Sequence, residues 1–184
     1  MKIYLTGVSC VGKTTIGAEL ASLLKYPFFD LDQVVEQFYG KPIERLQNEC
    51  LTMHTYRQKA CQALRHLLAQ NPIKDFVIAL PPSGLMGQYP RVIKGAGGVV
   101  VVLSDTPENI LERITFYDVD SRPIIKKLTD HELRLYLKEI RLDITYFKKT
   151  YKKADVTVDI SGLGPMPSAK KVRDVLVAQF GLRV

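Results

Sequence analysis

Residues 7–14 read Gly-Val-Ser-Cys-Val-Gly-Lys-Thr, the pattern G-x-x-x-x-G-K-T, in which each position has a part in holding phosphate. Gly7 and Gly12 let the backbone turn tightly, so that the N–H groups along Val8, Ser9, Cys10 and Val11 point inward at a nucleotide's β-phosphate. Lys13 is spaced to reach the β- and γ-phosphates, and the Thr14 hydroxyl to hold Mg²⁺, with Thr15 next to it. The flanks agree with this chemistry. Ile3-Tyr4-Leu5 precedes the loop as an apolar strand, and Ile16, Leu20, Leu23 and Leu24 follow at helical spacing. The N-terminus of that helix adds its positive dipole at the phosphate.

A second group of chemical residues follows the next apolar run, in Phe28-Phe29-Asp30-Leu31-Asp32. Ligands of an open parallel sheet sit at the carboxyl ends of its strands. Two carboxylates spaced D-x-D there face one side of an extended backbone. One is suited to the metal's shell and the other to accepting a hydrogen bond from a substrate hydroxyl. Asp30 or Asp32 also suits the N-cap of the following helix.

Apolar runs at 3–6, 27–29, 76–80, 99–103 and 156–160 are continuous, as expected of strands buried on both faces of a parallel sheet. Helical patterns lie between them, at 14–24, 32–39, just after Pro42, 51–69, 84–94, 107–115, 129–152 and 168–180. Thr106-Pro107-Glu108 is a clear start signal, an N-cap followed by proline at the first helical position. The alternation predicts an α/β fold with a five-stranded parallel sheet and helices on both faces. Residues 117–122, before Pro123, have no strong periodicity and read as a mobile loop.

The 184 residues suit one domain, 1–184, with a sizeable core. Cys10, Cys50 and Cys61 form no C-x-x-C pair, which is the usage of a reducing cytosol. No stretch reaches the roughly 20 apolar residues of a membrane span, and no signal peptide is read. The net charge of +7 is scattered, and its densest cluster, Lys148, Lys149, Lys152 and Lys153, ends a helix where cations complement the dipole. Anionic ligands are therefore expected, without nucleic acid or a membrane. His54, His66 and His131 have no metal-ligand spacing.

The order of these features resembles the shikimate kinases. The likeness runs from the phosphate loop through F-x-D-x-D, Val35-Glu36, Gly40-x-Pro42-Ile43 and Tyr56-Arg57. It continues through Ser121-Arg122-Pro123-Ile124-Ile125, similar to that family's R-P-L-L lid segment, to Arg141-x-x-x-x-Tyr146 and Ala154-Asp155. The resemblance implies a three-layer P-loop kinase fold of strand order 2-3-1-4-5, with a lid at about 115–127. It implies a cytoplasmic enzyme, expected to be a monomer, that passes the γ-phosphoryl group of MgATP to a hydroxyl of shikimate or a similar carboxylated polyol. Residues 7–15 would hold ATP with Lys13 catalytic, Thr14 would ligate Mg²⁺ and Asp30 would orient the metal's waters. Asp32 would bind the acceptor hydroxyl, Arg57 and Arg141 would clamp the substrate carboxylate, Arg122 would neutralise the transferring phosphoryl group and Arg113 would lie against adenine.

The chain departs from the family after the third strand. A glycine triplet is expected there, whereas this sequence has Leu80-Pro81-Pro82-Ser83-Gly84. Proline has no N–H to donate and its ring fills space that glycine leaves open. Val8-Ser9 after Gly7 is similar to gluconate kinases. The acceptor thus stays open between shikimate, a gluconate-like acid and a nucleotide. A non-catalytic nucleotide-binding protein of kinase ancestry is the other alternative, and it has no need of Asp32, Arg57 and Arg141.

Overall fold

The structure, a computed structural model, describes residues 1–70, 74–117 and 123–183. The chain runs β1 (Lys2–Thr6), α1 (Lys13–Leu24), β2 (Phe28–Asp30), α2 (Leu31–Tyr39), α3 (Ile43–Asn48) and α4 (Met53–Gln70). It continues through β3 (Phe76–Ala79), α5 (Tyr89–Ala96), β4 (Val99–Ser104) and α6 (Pro107–Glu112). A short hairpin, β5 (Phe116–Tyr117) with β6 (Pro123–Ile124), precedes α7 (Asp130–Tyr151), β7 (Val156–Asp159) and α8 (Pro165–Phe180).

The five apolar runs form one sheet of order β2-β3-β1-β4-β7, with every neighbouring pair parallel. Counting only the strands of this sheet, that is the expected 2-3-1-4-5. The strands lack polar alternation because both faces are covered. Ile3, Leu5, Val77, Val101 and Leu103 pack under α1, α6, α7 and α8, whereas Tyr4, Phe76, Ile78 and Val100 pack under α2, α4 and α5. Fully burying each such side chain stabilises the fold by about 1.5–3 kcal/mol. Among the described residues no helix is long and apolar enough to cross a membrane.

Some boundaries differ from those the sequence predicts. β2 includes Asp30, and α2 starts at Leu31, so Asp30 and Asp32 straddle a strand-to-helix junction and do not share an extended backbone. α5 starts at Tyr89, because Leu80 is followed by turns closed by Gly84 N–H to Pro81 O (2.8 Å) and Met86 N–H to Ser83 O (2.8 Å). α8 starts three residues early, at Pro165, since prolines fit a first turn whose N–H groups lack helical partners.

The hairpin β5–β6 pairs Phe116 with Ile124 within the segment expected as the lid. Residues 118–122 of that segment, Arg122 among them, lie outside the described residues. The hairpin's base is tied to α7. Lys126 Nζ lies 2.8 Å from the Glu132 carboxylate and over the rings of Phe116 and Tyr136, at 5.6 and 5.9 Å.

Candidate functional site

The phosphate loop leaves the carboxyl end of β1 and enters α1 directly. Gly7 has φ +149°, and a Cβ there would stand 2.6 Å from the Leu103 carbonyl oxygen, so the loop passes β4 at a distance only glycine allows. Val8 and Val11 bury their side chains in the core, leaving only their backbone to a ligand, whereas Ser9 and Cys10 are exposed. Cys10 adopts φ +58°, an uncommon conformation for a residue with a side chain. The first turn of α1 has no side-chain cap and no acidic residue, so its N–H groups stay available to an anion.

Lys13 Nζ donates to the carbonyls of Gly7 (3.1 Å) and Val8 (2.8 Å). Burial lowers its pKa to about 8, against the opposing pull of Asp32, Cys10 and Asp30. The ammonium is thus held over the loop as a cation with few competing contacts. A cavity of about 220 Å³ opens beside it, lined by Cys10, Gly12, Lys13, Thr14, Thr15 and Arg113. Arg113 Nη1 lies 2.5 Å from the Asp105 carboxylate, and the guanidinium also reaches the carbonyls of Val11 and Leu163 at 3.4 Å.

Asp30 caps α2 and also meets the phosphate loop. Its Oδ1 accepts from the Asp32 N–H (3.0 Å), which caps α2, and its Oδ2 accepts from the Thr14 hydroxyl (2.7 Å). A hydroxyl and a carboxylate joined in this way form a hard oxygen pair suited to Mg²⁺. That ion binds few protein ligands and completes its shell with water and phosphate oxygens. No cluster of three or more His, Cys, Asp or Glu side chains able to hold a metal occurs among the described residues. Asp32, the second residue of α2, has its pKa raised by burial and by the Asp30 carboxylate, with Lys13 opposing.

Two buried tyrosines feel the charges of this region. Tyr56 is buried, and burial followed by the Asp32 charge pushes its pKa to about 12. Tyr89 is fully buried. Its pKa is raised mainly by burial, and it feels both Asp32 and Arg57. Neither the Tyr89 hydroxyl nor Arg57 Nε has a partner among the described residues. A buried guanidinium nitrogen with no acceptor leaves an arginine charge that an anionic ligand can compensate.

A family model described as Shikimate kinase matches residues 9–176. The chain belongs to the shikimate kinase family. The shikimate kinase of Chlorobium limicola is 32% identical over 159 residues, covering 86% of this chain and 76% of the relative. The crystal structure of shikimate kinase from Aquifex aeolicus superimposes with a TM-score of 0.71 at 26% identity, over 98% of each chain. A structure of the Acinetobacter baumannii shikimate kinase in complex with shikimate gives a TM-score of 0.74 over 99% and 95%, at 24% identity, and so speaks for the fold.

The turn expected to carry a glycine triplet carries prolines. Pro81 and Pro82 form the turn after β3, and their carbonyls point into hydroxyls of the protein. Thr6 Oγ1 donates to Pro81 O and Tyr151 Oη to Pro82 O, both at 3.1 Å. Arg141, expected beside Arg57, has its observed partner elsewhere. It is exposed and bonded to Glu108 of α6 at 2.8 Å, ten residues before Tyr151 on α7, which is about 15 Å of helix. Helical periodicity assigns a face to Arg141 but not the partner at its height.

Two residues of the site escaped sequence reading. Asp105 precedes the Thr106-Pro107 start signal, so a helix-boundary role absorbs it. Tyr89 follows a glycine-rich turn, and no local pattern tells that its ring turns inward to the core.

Proposed function

We propose that this chain transfers the γ-phosphoryl group of MgATP to a hydroxyl of shikimate or of a closely similar carboxylated polyol. The observation that carries the reading is the junction of the Lys13 loop with Asp30, Asp32 and Arg57. These residue types, in a member of the shikimate kinase family, support a site for phosphate, metal, an acceptor hydroxyl and a carboxylate.

Phosphoryl transfer requires positioning and charge stabilisation more than covalent chemistry from the protein. Lys13, released from the Gly7 and Val8 carbonyls, would bind the β- and γ-phosphates together with the loop N–H groups from Val8 to Thr15. Thr14 and Asp30 would hold Mg²⁺, which when bound neutralises charge shared between the β- and γ-phosphates. Asp32 would accept the hydrogen bond of the attacking hydroxyl, and its raised pKa suits a group that takes up a proton as the bond to phosphorus forms. Arg57 would bind the acceptor's carboxylate, to which its planar fork is matched. Arg113 would border the adenine, and Arg122, from the lid segment, would face the transferring phosphoryl group.

Pro81 and Pro82 favour a second reading in which the acceptor is another hydroxy acid, because the turn lacks two N–H donors. Steady-state ADP release from MgATP, measured with shikimate, gluconate, quinate and a set of nucleosides, tests both. Turnover highest with shikimate, at an elevated KM, is expected. Turnover confined to gluconate or a nucleoside would replace the acceptor, and ADP release independent of every acceptor would remove the kinase reading.

A further inference from the structure

We propose that Asp105 is a positioning residue for nucleotide binding, fixing the Arg113 guanidinium as one wall of the nucleotide cavity; this rests on the ATP-dependent reading above. Asp105 follows the last residue of β4, beyond the carboxyl end of the strand next to β1. Its side chain is completely shielded from solvent, and its Oδ2 lies 2.5 Å from Arg113 Nη1. Its other oxygen, Oδ1, is fixed by the Thr106 N–H and by Asn109 Nδ2, each at 2.7 Å. The carboxylate is therefore held from one side and offered to arginine on the other.

Burial opposes ionisation of Asp105, yet hydrogen bonds from Asn109, Arg113 and the Thr106 N–H keep its carboxyl below the usual carboxylate range. A buried carboxylate so held is an anchor of fixed position and charge. Helix capping does not account for it. Thr106 already fills that role, its Oγ1 accepting from the Asn109 N–H at 3.2 Å.

Arg113 spends the anchored charge across two loops distant in sequence. Its guanidinium reaches the Val11 carbonyl in the phosphate loop and the Leu163 carbonyl before α8, both at 3.4 Å, and it lines the cavity beside Lys13 and Thr14. A long arginine side chain loses much rotamer freedom in such a pose, and a fixed counter-charge removes that loss from the binding step. A planar guanidinium held flat beside the phosphates is a surface on which a purine can stack. Asp105 would thus contribute to base affinity without touching the nucleotide.

Asp105→Asn tests this. It keeps an acceptor for Thr106 and Asn109 but turns an amide toward Arg113. The readouts are the dissociation constants of ADP and of inorganic tripolyphosphate by calorimetry, with kcat at saturating ATP. ADP binding weakened about tenfold is expected, the scale of one lost charge-assisted hydrogen bond. Tripolyphosphate, which fills the phosphate loop without a base, should bind as it does to the unaltered protein, and kcat should be unchanged. Arg113→Met should weaken ADP by a similar factor, and Asp105→Asn/Arg113→Met by no more than Arg113→Met alone. The double variant also removes both charges of the pair, so it decides the matter if Asp105→Asn alone does not fold. Unchanged ADP affinity, equal losses for ADP and tripolyphosphate, or additive losses in the double variant would each overturn the proposal. Unaltered protein that binds tripolyphosphate but not ADP would instead overturn the ATP reading beneath it.

Discussion

Replacing Pro81 and Pro82 by glycine returns two N–H donors to the turn after β3 while leaving its path largely fixed. Three contacts hold that path without using either proline ring: Thr6 Oγ1 to Pro81 O (3.1 Å), Tyr151 Oη to Pro82 O (3.1 Å) and Gly84 N–H to Pro81 O (2.8 Å). Under the proposed function, with Arg141 engaged by Glu108, Arg57 would be left as the carboxylate's cation, and added donors would have a large share of the recognition to recover. One hydrogen bond to a charged group contributes roughly 1.5–3 kcal/mol, a factor of about ten to a hundred in affinity. If one of the two new donors reaches the carboxylate, the KM for shikimate should fall about tenfold, with the KM for ATP unchanged. The two glycines also add freedom to the unfolded chain, costing about 1–2 kcal/mol in stability, or a Tm lower by roughly 2–8 °C. The assay is ADP release against shikimate concentration at saturating ATP, beside a thermal melt. A lower Tm with an unchanged shikimate KM would refute the reasoning, because it would show that the turn is structural and contributes nothing to the acceptor.

Four further outcomes are expected. Lys13→Ala should abolish turnover in steady-state assays while the fold, followed by circular dichroism, persists, since the side chain bonds only loop carbonyls. The Lys13 pKa of about 8 lies below that of a free lysine, so ADP binding should be flat below pH 8 and weaken above it. The unliganded protein should gain stability as pH rises from 8 toward the unfolded-state value, because there the unfolded chain binds the extra proton; Lys13→Ala should erase both slopes. The raised Asp32 pKa should place the acid limb of the pH–rate profile above that of an ordinary carboxylate, with activity lost as pH falls through it, and Asp32→Asn should remove the limb along with most of kcat. Arg57→Ala should raise the shikimate KM at least tenfold, the loss of a bidentate charged contact. Arg141→Ala should leave it nearly unchanged, since an exposed pair such as Arg141–Glu108 contributes only about 0–1 kcal/mol.

The phosphate loop was legible in the sequence because its chemistry is local: glycines, lysine and threonine act at fixed spacings along eight consecutive residues. The sheet was legible for a related reason, since strands covered on both faces carry unbroken apolar runs. The candidate cap at Asp30 was also legible, and its two oxygens face different partners, Oδ1 the Asp32 N–H and Oδ2 the Thr14 hydroxyl. What the sequence did not show depends on distant contacts. Arg141 meets Glu108, thirty-three positions away in sequence, and Asp105 gains its meaning only when Arg113 reaches back to it while touching Val11 and Leu163. The inward turn of Tyr89 depends on packing against α4, which the preceding glycine turns do not encode locally.

The central claim is that Lys13 and Asp32 deliver a phosphoryl group from ATP to a hydroxyl of shikimate. Phosphorus NMR of a reaction containing MgATP and shikimate, run in parallel with unaltered protein and with Lys13→Ala, tests it most directly. The account predicts ADP and a new phosphomonoester resonance in equal amounts with the unaltered protein, and neither with the variant. ADP accompanied only by inorganic phosphate, or a phosphomonoester formed equally well by Lys13→Ala, would contradict it.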